Sequence, residues 1–172
     1  VPTTHPDRVT RSAWLCLAVV LAADIMDLMD SSITNVAAPT IRADLGGGST
    51  LLQWLAAAYS LAFAVLLITG GRLGDLFGRR RLFLLGMAGF TLASAACALA
   101  QDPGMLIATR AVQGAFGALL IPQGFGVIKQ VFPPDQLGKA FAAFGPAMGL
   151  SAVAGPILSG ALVDGDLFGT GW

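Results

Sequence analysis

Glutamate is missing: all ten acidic residues of this 172-residue chain are aspartates. Charge of either sign is scarce. Asp, Lys and Arg together make up 12% of the residues, where a soluble domain carries about 25%. Ten basic residues cancel the ten acids, so no global field draws in nucleic acid. Histidine occurs once, His5, in a polar tail. Cysteine occurs twice, Cys16 and Cys97, each inside an apolar run. We read both as buried small hydrophobes, since neither belongs to a metal or redox motif. No segment holds paired histidines for haem, a metal-ligand cluster or a nucleophile with its base. An enzyme, a bound metal and a cofactor are therefore not expected.

What fills the chain is apolar. Hydrophobic residues reach 55% and the mean hydropathy is +0.75. There are 22 glycines, which suits helices packed closely in lipid. These features make it an all-α membrane protein, with the bilayer as its first partner. Five runs are long enough to span a bilayer: 13–38, 51–69, 82–100, 105–131 and 140–163. Residues 1–12 form a short polar tail, and 164–172 an outer loop. Arg8 and Arg11 ahead of an apolar run look like a signal peptide. The run is too long, however, and lacks a clean small-residue cleavage site before the aspartates. We read it as an uncleaved first span, ended by Pro39. Trp54 and Tyr59 near the start of span two suit an interfacial anchor, or Tyr59 lies deeper. Residues 70–81 read as a turn with four arginines, and Gln101-Asp102-Pro103-Gly104 as a tight turn. Pro122 bends span four. Pro146 and Pro156 lie inside span five.

The first span is the unusual one. It carries Asp24, Asp27 and Asp30. At a helix centre each costs about 2.5–3.5 kcal/mol to insert, roughly 8–10 together. The apolar residues of the run return only about 3–5 kcal/mol. At about 100° per residue, Asp24, Asp27, Asp30, Ser31, Thr34 and Asn35 share a wedge of roughly 140°. Leu21, Ile25, Leu28, Met29, Ile33 and Val36 lie opposite. Ionisable residues facing inward from a membrane helix mark an ion or substrate path.

A second intramembrane charge, Arg110, lies about 8 Å by helical rise inside span four. It stays protonated and needs an acceptor. Asp30 lies roughly 12 Å from the outer end of span one, at a comparable depth. Arg110 is expected to approach Asp30 directly, through water or through Gln113; the alternative is that it snorkels to the interface. Basic residues also orient the chain. Arg8, Arg11, Arg72, Arg79, Arg80, Arg81, Lys129 and Lys139 fall on one side of five spans, and Arg42 on the other. The positive-inside rule makes the N-terminus cytoplasmic and leaves Trp172 outside, with no sixth span closing the set.

Four stretches carry a resemblance. Gly71-Arg72-Leu73-Gly74-Asp75-Leu76-Phe77-Gly78-Arg79-Arg80-Arg81 resembles the signature between the second and third helices of the major facilitator superfamily. Asp30-Ser31-Ser32-Ile33-Thr34-Asn35-Val36-Ala37-Ala38-Pro39, Arg110-Ala111-Val112-Gln113-Gly114-Ala115 and Gly155-Pro156-Ile157-Leu158-Ser159-Gly160 resemble the first-, fourth- and fifth-helix motifs of its drug:proton antiporter branch with fourteen predicted spans. The motifs stand in the family's order. Leu76 and Ser159 depart from it, and Asp24 and Asp27 are additions.

The resemblance implies a partial N-terminal helical bundle of a longer transporter in the plasma (inner) membrane. It implies proton-coupled export of drugs or other amphipathic small molecules. Its partners would be substrate, protons and the C-terminal helices; residues 164–172 would open a sixth helix that the chain lacks. On this reading Asp30 and Arg110 couple protons, and Asp24, Asp27, Asn35 and Gln113 face substrate. Gly71, Gly74, Asp75, Gly78, Arg79, Arg80, Gly155 and Pro156 serve gating. The alternatives are an importer or uniporter of the same fold, or a membrane fragment that transports nothing.

Overall fold

The computed structural model describes residues 10–46 and 48–165. The polar tail before Thr10 and the outer loop after Gly165 lie outside the described residues. Among the described residues six helices follow in order: α1 (Arg11–Leu45), α2 (Ser49–Phe77), α3 (Arg79–Ala98), α4 (Pro103–Val131), α5 (Leu137–Ala142) and α6 (Phe144–Gly165). Taking Leu137–Gly165 as one passage, five are long and apolar enough to cross a membrane.

Helix α4 is the hub. It packs along α2 and α3 and crosses α1, while α6 lies along α1. The polarity of this bundle is inverted relative to a soluble protein. Leu15, Val65, Ile68, Leu92, Val153 and Ile157 point outward, while Asp24, Arg110, Gln113 and Gln123 are buried. In lipid, outward apolar side chains cost nothing, and association rests on close packing and interhelical hydrogen bonds. Two apolar clusters close the ends of the bundle. One joins Leu17 and Val20 of α1 to Phe83, Phe90, Leu120 and Ile128. The other joins Ala37 and Ile41 to Leu51, Leu55 and Leu106. Asp24, Asp27 and Asp30 on α1, and Arg110 on α4, fall between them.

Several helix ends differ from the sequence reading. Pro39 does not end α1, which continues to Leu45. Proline removes one backbone donor, but the turn beyond it buries Ile41 against Leu51 and Leu55, and packing outweighs one lost bond. Residues 70–77 are not a turn; they complete α2. Gly70 and Gly74 are buried there because α4 lies against them. A Cβ on Gly70 would come within 2.7 Å of the Ala118 carbonyl oxygen. That carbonyl is the one left without a helical donor by Pro122, four residues on. The reversal between α2 and α3 is confined to Gly78, at φ 93°.

Pro103 opens α4 rather than breaking a helix. Asp102 caps it, its side chain accepting from the Met105 N–H at 2.9 Å, and proline at the first helical position has no donor to lose. Span five starts earlier than expected, at Leu137, and is interrupted at Ala143. Pro146 cannot donate to the carbonyl of Ala142, the last residue of α5.

Gly78 gives a direct test of the reversal. Nothing lies within 4 Å of a Cβ added there, so Gly78→Ala acts through backbone strain alone, about 1–3 kcal/mol. The detergent-solubilised protein should melt several degrees lower. An unchanged melting temperature would mean that the α2–α3 reversal does not use this conformation.

Candidate functional site: a buried ion pair between α1 and α4

Arg110 and Gln113 lie three residues apart on one face of α4, and Asp27 and Asp30 three apart on one face of α1. Such pairs are neighbours on a helix surface. The two faces meet. Arg110 Nη1 donates to Asp30 Oδ2 at 2.5 Å and to Gln113 Oε1 at 2.7 Å. Gln113 Nε2 donates to the other oxygen, Asp30 Oδ1, at 2.7 Å. Arg110 Nε points to the Leu55 carbonyl of α2 at 3.5 Å. The expected pairing is therefore direct, with Gln113 bridging the same two residues. Arg110 is 4% exposed, so it does not snorkel to the interface.

Taking both charges out of water costs several kcal/mol per ion. The geometry that offsets this is here: both carboxylate oxygens accept hydrogen bonds, and the guanidinium engages two helices besides its own. Removing one partner would strand the other, which is where the large energies lie.

Two more side chains belong to the site; the sequence reading named both, but not as parts of it. Tyr59 of α2 donates its hydroxyl to Asp27 Oδ1, and the Arg110 guanidinium carbon lies 4.6 Å from its ring centroid. Of the two readings of Tyr59, the deeper one holds, and it is no interfacial anchor. Tyr59 is the chain's one tyrosine, and a phenol buried in lipid needs a hydrogen-bond partner; that was the available signal. Cys97 of α3 donates to Thr109 Oγ1 at 3.2 Å and to Gln113 Oε1 at 3.6 Å. It is half-buried and polar in its contacts, not simply a small hydrophobe. Its partners depend on how α3 is rotated against α4, which no spacing reveals.

The remaining candidates are placed apart from this pair. Asp24 is buried, one turn before Asp27, and no hydrogen bond to its side chain is found among the described residues. Asn35 is exposed and donates to Ser31 O of its own helix at 2.9 Å. At the far end of α4, Arg79 forms an ion pair with Asp75 at 2.5 Å and donates to Pro122 O at 3.3 Å. Gln123 Nε2 donates to Gly70 O at 2.6 Å. Gly71 rests on Pro122, and Gly74 leaves room for the Gln123 amide. Arg80 and Arg81 line a shallow cavity of about 460 Å³ with Phe77, Gly78 and Gln130. Gly155 brings α6 against α1: a Cβ there would lie 2.9 Å from Ser32. Pro156 is exposed beside it.

A charged pair held between apolar layers of a lipid-facing bundle, with the four motifs in order, agrees with the family that those motifs resemble. The model of the Major Facilitator Superfamily matches residues 20–172. The chain belongs to this superfamily. It is a multi-pass membrane protein of a transporter family. Among its relatives, a probable actinorhodin transporter of Streptomyces coelicolor is 60% identical over 92% of this chain and 28% of that protein. A tetracenomycin C resistance and export protein of Streptomyces glaucescens is 41% identical over 88% of this chain and 28% of its own. A riboflavin transporter of Clostridioides difficile is 31% identical over 90% of this chain and 34% of its own. The chain thus spans roughly a third or less of the length of these curated relatives.

Proposed function

We propose that this chain is the N-terminal part of a plasma-membrane transporter that exports drugs or other amphipathic small molecules in exchange for protons. The observation that carries the reading is the buried contact of Asp30 with Arg110 and Gln113. Two relatives, a probable actinorhodin transporter and a tetracenomycin C resistance and export protein, support small-molecule export.

The chemistry is protonation without bond making. A carboxylate among apolar groups favours its neutral form, and a nearby guanidinium favours its charged form. In this reading Asp30, paired with Arg110, carries the proton, and Arg110 modulates it. Asp27 and Asp24 assist on the substrate side, with Asn35 and Gln113 as further candidates. Alternating access follows from rocking of helical bundles about a midplane site. The elements around Gly71, Gly74, Asp75, Gly78, Arg79, Arg80, Gly155 and Pro156 adjust during that motion. With the basic residues cytoplasmic, the N-terminus lies inside.

The complete transporter in inverted membrane vesicles with an acidic lumen provides the test. Aromatic amphiphiles, tetraphenylphosphonium among them, should dissipate the pH gradient as they enter the lumen. Substrate movement that leaves the gradient untouched would refute proton exchange. The same assay run in both directions separates export from import, the reading that a relative named only as a riboflavin transporter keeps alive.

A further inference from the structure

Arg110 loses its counter-ion when Asp30 takes up a proton. The guanidinium stays charged and has almost no contact with water, and an unpaired buried charge is strongly unfavourable. Gln113 and the Leu55 carbonyl remain as acceptors, but neither is an anion. The next carboxylate on the same face of α1 is Asp27, one turn away. Between it and Arg110 stands Tyr59. Its hydroxyl binds Asp27, and its ring lies against the guanidinium.

Tyr59 is itself tightly seated. A Cβ on Gly114 would collide with the Tyr59 carbonyl oxygen, and one on Gly117 would come within 2.8 Å of the phenol oxygen. Its ring stacks on Phe63 at 6.0 Å between centroids. The phenol is therefore placed by α4 and α2, and it places Asp27 in turn.

We infer that Tyr59 is a positioning residue that holds Asp27 in reserve as the second counter-ion of Arg110. This rests on the proton-exchange reading above. With Asp30 ionised, Arg110 engages Asp30, and Asp27, held by the phenol, is available to a cationic substrate. When Asp30 is protonated, Arg110 passes along the Tyr59 ring to Asp27 and excludes the cation. The handover moves the guanidinium's partner by three residues, about 4.5 Å along α1. It thereby links proton uptake to a shift of α4 against α1.

The ionisable surroundings of Asp27 permit this. Asp24 and Asp30 flank it on α1, Tyr59 faces it from α2 and Arg110 from α4. Helix α6, which packs along α1, has no ionisable side chain before Asp164. On α3, Cys97 bonds to Gln113 and Thr109. Arg110 is thus the single cation available to either carboxylate among the described residues around them.

The test uses the complete transporter, with tetraphenylphosphonium binding measured in mildly alkaline and mildly acidic buffer. The parent protein should bind the cation about tenfold more tightly in alkaline buffer, where Asp27 is free. Tyr59→Phe retains the ring and removes the one donor. It should lose about tenfold in alkaline affinity, and the difference between the two buffers should flatten. Asp27→Asn should lose cation binding in both buffers while neutral amphiphiles still bind. If the parent protein shows the pH dependence and Tyr59→Phe keeps it unchanged, the role of Tyr59 is overturned. So it is if Asp27→Asn binds the cation normally. A parent protein with no pH dependence and no gradient-driven transport would instead overturn proton exchange itself.

Discussion

Asp30→Asn is expected to abolish pH-gradient-driven transport by the transporter that contains this chain. Asparagine is nearly the same size, so the change is electrostatic. It removes the group that can gain and lose a proton and places an amide where Arg110 Nη1 and Gln113 Nε2 both donate. The two donors bind different carboxylate oxygens, and the amide nitrogen that replaces one of them can only donate, so one donor loses its acceptor. Arg110 is left buried without this counter-ion, a loss of the kind that costs about 3–5 kcal/mol when one member of a buried pair is removed. Gradient-driven uptake into inverted vesicles measures the coupled reaction. Downhill flux of the same substrate, with no pH gradient, reports whether the protein is still assembled. Loss of the first with survival of the second is the expected outcome. Undiminished coupled uptake would remove Asp30 from the mechanism. Asp24→Asn should do far less, because no hydrogen bond holds the Asp24 side chain among the described residues.

Gly114→Ala is expected to have a large effect for a single added methyl group. The added carbon would overlap the backbone of Tyr59, not the tip of a flexible side chain. Backbone cannot step aside, so α2 and α4 must separate along their crossing. Overpacking of this kind costs about 1–3 kcal/mol and occasionally more. Tyr59 would move with α2, taking with it the hydrogen bond to Asp27 and the ring beneath Arg110, so transport should fall by more than stability does. Gly74→Ala is the graded comparison: there the obstacle is the Gln123 side-chain amide, which can rotate. Gly160→Ala, with nothing within 4 Å, should be close to neutral. Melting temperature in detergent and transport in vesicles, measured for all three, give the order. Equal melting temperatures for Gly114→Ala and Gly160→Ala would mean that α2 and α4 do not approach as closely as described.

The contrast between these glycines shows where spacing stops being informative. Gly70, Gly74 and Gly78 lie in one stretch, 70–81, and read alike as turn residues. Only Gly78 has a positive φ; the other two are sites where α4 approaches closely. Proline was ambiguous in the same way. Pro39 sits inside a continuous helix because Ile41 beyond it is packed, whereas the break before Pro146 leaves α5 and α6 separate. A local rule states what a residue permits, and the neighbouring helix decides which permission is used.

The sequence by itself determined the five apolar passages, because a bilayer demands long hydrophobic runs and tolerates few exceptions. It also pointed to Asp30 and Arg110 as partners. Two opposite charges at similar depth in a medium without water have few other ways to be satisfied. Which further side chains complete their surroundings was decided only by the tertiary structure. Tyr59 and Cys97 reach the site through the rotation and close approach of α2 and α3 on α4, and these follow from packing across helices that a linear pattern does not encode.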